Sequence, residues 1–197
     1  MEFYLKKLRK PRRLGVLAGT FNPPTRAHLE LVHGAGFHVD EILCVVPRSF
    51  PHKEYFGATL AERLEMLGSI EELDYSIAIS DSGLFVDIAN ECREHYGAGV
   101  QLYFVCGRDA AERVVGWNYG RPGVAEEMLK EFELLVAARQ GEFAPPAQFR
   151  DRIHRLEVPG RYDALSSTEV RERIVRGEPW EHLVPARIVE RVRAIYS

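Results

Sequence analysis

No stretch of this 197-residue chain approaches the roughly 20 consecutive apolar residues that a membrane-spanning helix needs. The basic opening, MEFYLKKLRKPRR, carries six Lys or Arg between residues 6 and 13, but no apolar core of signal-peptide length follows it. It reads as a solvated extension over residues 1–13, and the protein is expected to be cytoplasmic with no membrane partner. Cysteine is scarce: Cys44, Cys92 and Cys106 are odd in number and show no CxxC spacing. Two of them sit inside the apolar runs ILCVV and YFVCG, so they are expected to be buried thiols of a reducing compartment. A large net charge is also missing. At −3, the balance argues against a dedicated nucleic-acid binder but leaves room for a small anion in a local basic pocket. There is no internal repeat, low-complexity tract or long linker, and no metal-ligand set is assigned. An apolar share of 46% and a charged share of 28% fit one globular domain, expected over residues 14–197, with a homo-oligomeric state left open.

What is present is an alternation of short apolar runs with amphipathic segments. Strands are expected at 14–21, 41–47, 76–80, 100–107, 133–140 and 153–158. Helices are expected at 26–36, 59–70 and 83–97, from about 108, around 127–132, at 166–177 and at 185–196. Strands that are apolar throughout and separated by helices predict a Rossmann-like α/β fold. Its doubly wound parallel sheet would have five to six strands, followed by C-terminal helices.

In such sheets ligands bind beyond the carboxyl ends of the strands. The residues that follow the strands are Gly19, Thr20, Asn22, Thr25 and His28; then Arg48, His52 and Lys53; then Gly107, Arg108 and Asp109; and finally Arg139. That rim collects cations and glycines in a chain of negative net charge, which suits a nucleotide phosphate.

Two stretches sharpen this reading. In LAGTFNPPTRAHLELV, Gly19 removes a Cβ from a ligand's path and Pro23 and Pro24 stiffen the turn. Thr25 is a good N-cap, and His28 lies in the first helical turn beside the positive end of the helix dipole, placed to donate to a phosphoryl oxygen. In ALSSTEVRERIVRG, Ser166 and Glu169 have capping-box spacing, and Ser167 and Arg171 share a helix face. This makes a second phosphate cradle. Two such helix beginnings could grip a polyphosphate from both sides.

These residues also carry a resemblance. GTFNPPTRAHL resembles the signature of the nucleotidyltransferase superfamily with a (T/H)xxH motif. Within that superfamily the chain is most similar to nicotinate and nicotinamide mononucleotide adenylyltransferases, through FPHK (50–53), ERLEML (62–67), VCGRDA (105–110), Trp117, LLVAARQG (134–141), SSTEVRERI and the closing HLVPARIVERVRAIY. The likeness implies transfer of AMP from ATP, with Mg²⁺ accompanying it, to a small phosphorylated acceptor with release of pyrophosphate. The acceptor expected is nicotinate or nicotinamide mononucleotide, as in NAD biosynthesis. By the same likeness, His28, Ser167 and Arg171 would be catalytic. Gly19, Thr20, Phe21, Asn22, Thr25, Gly107, Asp109 and Thr168 would complete the ATP site, and Lys53, Trp117 and Arg139 would meet the acceptor.

The chain departs from the pattern in three places. Thr25 and Ala27 replace the first histidine and the glycine of HxGH. In the stretch that helps recognise nicotinate, three polar groups have become Leu84, Phe85 and Ile88, with Asp87 kept. Losing those donors should weaken binding of a carboxylated pyridine. Three alternatives remain: another acceptor such as phosphopantetheine, CTP as donor, and a nucleotide-binding regulatory module without catalysis.

Overall fold

Side chains alternate along each central strand, and both sets are apolar. In the strand Glu41–Pro47, Ile42, Cys44 and Val46 enter one buried cluster while Leu43 and Val45 enter the other. A strand of this kind is stable only with helices on both faces of its sheet. The computed structural model, which describes residues 1–7, 10–48, 57–72, 74–117, 120–137, 144–162 and 165–197, shows this three-layer arrangement.

The strands are β1 (Glu2–Leu5), β2 (Arg13–Ala18), β3 (Glu41–Pro47), β4 (Ser76–Ser80), β5 (Gln101–Gly107), β6 (Glu133–Ala137) and β7 (Ile153–Leu156). The helices are α1 (Arg26–Ala35), α2 (Leu60–Gly68), α3 (Phe85–Tyr96), α4 (Arg108–Gly116), α5 (Val124–Glu131), α6 (Ser167–Arg176) and α7 (Val189–Tyr196). The seven strands pair in the order β1-β4-β3-β2-β5-β6-β7. All neighbours are parallel except β1, which runs antiparallel to β4. Helices α1, α2, α6 and α7 bury their apolar stripes on one face, through residues such as Leu31, Leu64, Val170 and Val192. Helices α3, α4 and α5 cover the other with Ile88, Ala111 and Leu129. At Gly34 the fit of α1 depends on a missing side chain, since a Cβ there would stand 3.1 Å from the Glu157 carbonyl oxygen.

Two expectations are corrected. The sheet has seven strands rather than five to six, because residues 2–5, expected to belong to a solvated extension, form β1, where half-buried Phe3 packs edge-on to Tyr96 and Lys6 lies over the Phe3 ring. Four residues at a sheet edge followed by cations is a known way of blunting an edge. The first long strand also stops at Ala18 rather than at 21, because Phe21 takes a left-handed backbone (φ 48°) that no strand accommodates.

The topology positions the site. The strand order reverses between β2 and β5, so the loops leaving these two strands border one crevice.

Candidate active site

The loop from β2 to α1 enters that crevice. Thr25 caps α1 with an extended backbone and is fully buried. Its backbone N–H donates to His28 Nδ1 at 3.0 Å, and its hydroxyl lies 2.8 Å from the same nitrogen. A nitrogen that accepts from a backbone N–H carries no proton, so the imidazole proton is on Nε2. Histidine here does the work of the acidic residue of an ordinary capping box. The imidazole centroid is also 5.0 Å from that of Phe21, a buried ring.

The second helix beginning meets the first. Ser166 caps α6 by accepting the Glu169 N–H at 3.1 Å. Ser167 Oγ donates to the Pro23 carbonyl at 2.8 Å, and Arg171 Nη1 donates to the Asn22 carbonyl at 2.5 Å. These bonds cross about three-quarters of the chain, and they place the starts of α1 and α6 side by side. Arg171 Nη2 also donates to the Thr168 hydroxyl oxygen at 3.2 Å. At α6 the N–H groups of Ser167 and Thr168 have no acceptor within the helix, as at any helix start.

The side chain of Asn22 is buried, and its Oδ1 accepts from the Ala58 N–H at 3.2 Å and from the Tyr196 hydroxyl, so it braces the loop. Thr20 is held likewise, its carbonyl accepting Arg63 Nη1 at 3.1 Å. Sequence reading missed both donors. Arg63 had left a signal: it falls at i+3 of the apolar stripe Leu60, Leu64 and Leu67, where a charge is out of place. Tyr196 left none.

Beyond β5, Gly107 caps α4, and Asp109 lies in the first turn with its side chain 81% exposed, 3.9 Å from Arg108. Arg108 also pairs with Glu112 at 3.5 Å. Trp117 ends α4 and is 58% exposed, a planar apolar surface at the rim. Past β3, Arg48 pairs with Glu2 and, at 3.0 Å, with Asp81. The rim cations Arg48 and Arg108 are therefore matched by local acids, and His28 and Arg171 are the basic groups that the two helix starts bring into the crevice among the described residues. His52, Lys53 and Arg139 lie outside the described residues.

The altered stretch at the start of α3 serves the core. Ile88 is fully buried, and Phe85 stacks on Phe104 at 4.3 Å and meets Phe132 edge-on. Leu84 alone is exposed there, and Asp87 accepts the Ser82 hydroxyl at 2.6 Å. Among the described residues, no group of three or more His, Cys, Asp or Glu is placed to hold a metal ion, and no helix is long and apolar enough to cross a membrane.

The chain has counterparts among known proteins. The family model described as cytidylyltransferase-like matches residues 16–173. A protein of Moorella thermoacetica named "Probable nicotinate-nucleotide adenylyltransferase" is 30% identical, the match covering 94% of this chain and 91% of that protein. A protein of Gloeobacter violaceus with the same name is also 30% identical, over 94% and 96%. Among solved structures, the Plasmodium falciparum nicotinic acid mononucleotide adenylyltransferase complexed with NaAD superposes with a TM-score of 0.72, covering 92% of this chain and 95% of that one at 15% identity. The chain belongs to the cytidylyltransferase-like family of nucleotidyltransferases.

Proposed function

We propose that the protein is an ATP-dependent adenylyltransferase whose acceptor is nicotinate mononucleotide. Support comes from the paired helix beginnings, and the acceptor class is drawn from the relatives' names. A phosphate oxygen of the acceptor attacks the α-phosphorus of ATP in line. One P–O bond forms, the bond to the pyrophosphate leaving group breaks, and no covalent intermediate with the protein is needed. Catalysis of this type is positioning plus stabilisation of charge on the phosphoryl oxygens.

His28 supplies a directed donor. With Nδ1 engaged by Thr25, its Nε2 proton is offered to an α-phosphoryl oxygen beside the positive end of α1. The N–H groups at the start of α6, with the charge of Arg171, take the β- and γ-phosphates. Gly107 and Asp109 border the nucleoside, and Trp117 stacks on the acceptor's ring. Mg²⁺ enters as part of the substrate, bound to the triphosphate, which suits a crevice whose described groups are hydroxyls, N–H donors and cations rather than clustered carboxylates.

The single observation that carries this reading is the junction of the two helix starts through Ser167 and Arg171. Its test is pyrophosphate release with Mg-ATP or Mg-CTP across nicotinate mononucleotide, nicotinamide mononucleotide and phosphopantetheine. Turnover with Mg-ATP and nicotinate mononucleotide, at least about tenfold more efficient than with the others, is expected; a tenfold preference corresponds to roughly 1.4 kcal/mol. No pyrophosphate with any pair, alongside tight ATP binding, would instead make the protein a nucleotide-binding regulatory module.

A further inference from the structure

Ser167 and Arg171 hold the loop after β2 from the side of α6. Two residues with no part in the reaction just described hold it from the other side. Arg63, on α2, is 3% exposed; its Nη1 reaches the Thr20 carbonyl at 3.1 Å and its Nε the Thr59 carbonyl at 3.3 Å. Tyr196, in the last turn of α7, donates to Asn22 Oδ1, and its ring lies over Gly57, where an added Cβ would stand 2.6 Å from it. Gly57 has φ +89° and precedes Ala58, whose N–H reaches the same Asn22 oxygen.

A buried guanidinium is an expensive way to fill an apolar stripe, since desolvating a charge costs several kcal/mol where leucine or methionine would stabilise. What Arg63 gains is direction. The Thr20–Phe21 peptide is trans and planar, the single cis bond among the described residues being Asn22–Pro23. In a trans peptide the C=O and N–H point opposite ways, so pinning the Thr20 oxygen toward α2 turns the Phe21 N–H to the other side of the loop. After Asn22 come Pro23 and Pro24, which have no N–H at all. The donors this loop can offer therefore lie at its start, and Arg63 sets the aim of the one at Phe21. Tyr196 and Ala58 fix the residue that follows. Burial pushes the Tyr196 hydroxyl up to about 12, against the pull of Arg171 and Arg63, so it stays a neutral donor.

We propose that Arg63 and Tyr196 are positioning residues for adenylyl transfer, which hold residues 20–22 so that the loop's backbone donors face the reacting phosphate. The inference rests on the function proposed above. Its test compares Arg63→Met, Arg63→Lys and Tyr196→Phe with the wild type, by kcat, by KM for Mg-ATP and nicotinate mononucleotide, and by Tm, with assays run well below each Tm. The expected result for Arg63→Met is a kcat lowered about 10- to 100-fold with both KM values within about threefold, the scale of a small misplacement of reacting groups. Arg63→Lys, which keeps a donor and the charge, should recover part of that loss. Tyr196→Phe, a change of one oxygen near the chain's end, should lower kcat about three- to tenfold. A lowered Tm with kcat per folded molecule unchanged would make Arg63 merely structural and overturn the proposal. Should Arg63→Met not fold, unchanged kcat in both Arg63→Lys and Tyr196→Phe overturns it equally. Wild-type protein that releases no pyrophosphate defeats the functional reading and this inference together; wild-type turnover with unaffected variants removes this inference alone.

Discussion

The loop after β2 and the rim after β4 and β5 lie at the same edge of one sheet, yet they are built to opposite rules. In the loop, the carbonyls of Thr20, Asn22 and Pro23 each accept a donor from a different side chain, two on α6 and one on α2. A buried phenylalanine is held there in a left-handed conformation that costs roughly 1–3 kcal/mol unless its surroundings enforce it. On the rim, Leu84, Trp117 and the side chain of Asp109 stand largely exposed. On the function proposed above, the reacting phosphates would meet a site organised before they arrive, whereas the acceptor's ring would meet exposed surfaces. Changes to the loop should therefore act on turnover, and changes to the rim on acceptor affinity.

The largest effect is expected at His28. His28→Ala should lower kcat by about 10²-fold or more, the cost of one directed donor to a developing charge, with ATP affinity little altered. An activity within a few-fold of wild type would erase the contrast. Ser167→Ala follows, with kcat about tenfold lower through loss of the tie to Pro23 and a loosened helix start. Trp117→Ala should do the reverse: about a tenfold rise in KM for the acceptor, as expected for lost stacking on a planar ring, with kcat and KM for ATP nearly unchanged. If kcat fell instead, the rim would share the loop's role.

Two smaller effects lie away from the crevice. Burial pushes the thiols of Cys44, Cys92 and Cys106 up to about 12, so the native protein should resist thiol reagents at pH 8 and react only on unfolding. Their folded values lie above the ordinary 9.0, so the stability this contributes is complete below about pH 9 and is lost as pH rises through 12. At the other end of the sheet, Asp40 is held below its usual 3.8 by the Arg13 N–H and guanidinium and by the Arg12 N–H. Its contribution is present above pH 4 and is lost as acid protonates it. Asp40→Asn should thus lower Tm by a few degrees at pH 7, and the difference should shrink as pH falls below 4, in thermal melts of both proteins.

The six parallel strands and most helices were legible because their apolar patterning is local. The strands at 41–47 and 76–80 fall where apolar runs placed them. Strand β1 was hidden because one half-buried phenylalanine in four residues carries no period. Within the site, the two helix beginnings were legible from cap chemistry, but the bonds that join them were not, since Arg171 reaches Asn22 across 149 positions and Tyr196 reaches it across 174. Arg48 looked like a ligand cation because its partners, Glu2 and Asp81, meet it only once the chain has folded, whereas the partner of Arg108, Glu112, stands four positions on along the same helix and was there to be read. The change to Phe85 and Ile88 looked like a change of acceptor, but it fills the core beneath α3.

The central claim is that one triphosphate lies between the starts of α1 and α6. A crystal structure with a magnesium-bound, non-hydrolysable ATP analogue tests it most directly. The prediction is an α-phosphate within hydrogen-bond distance of His28 Nε2 and β- and γ-phosphates at the backbone N–H groups of Ser167 and Thr168. A nucleotide bound elsewhere, or one whose phosphates touch only one of the two helix starts, would contradict it.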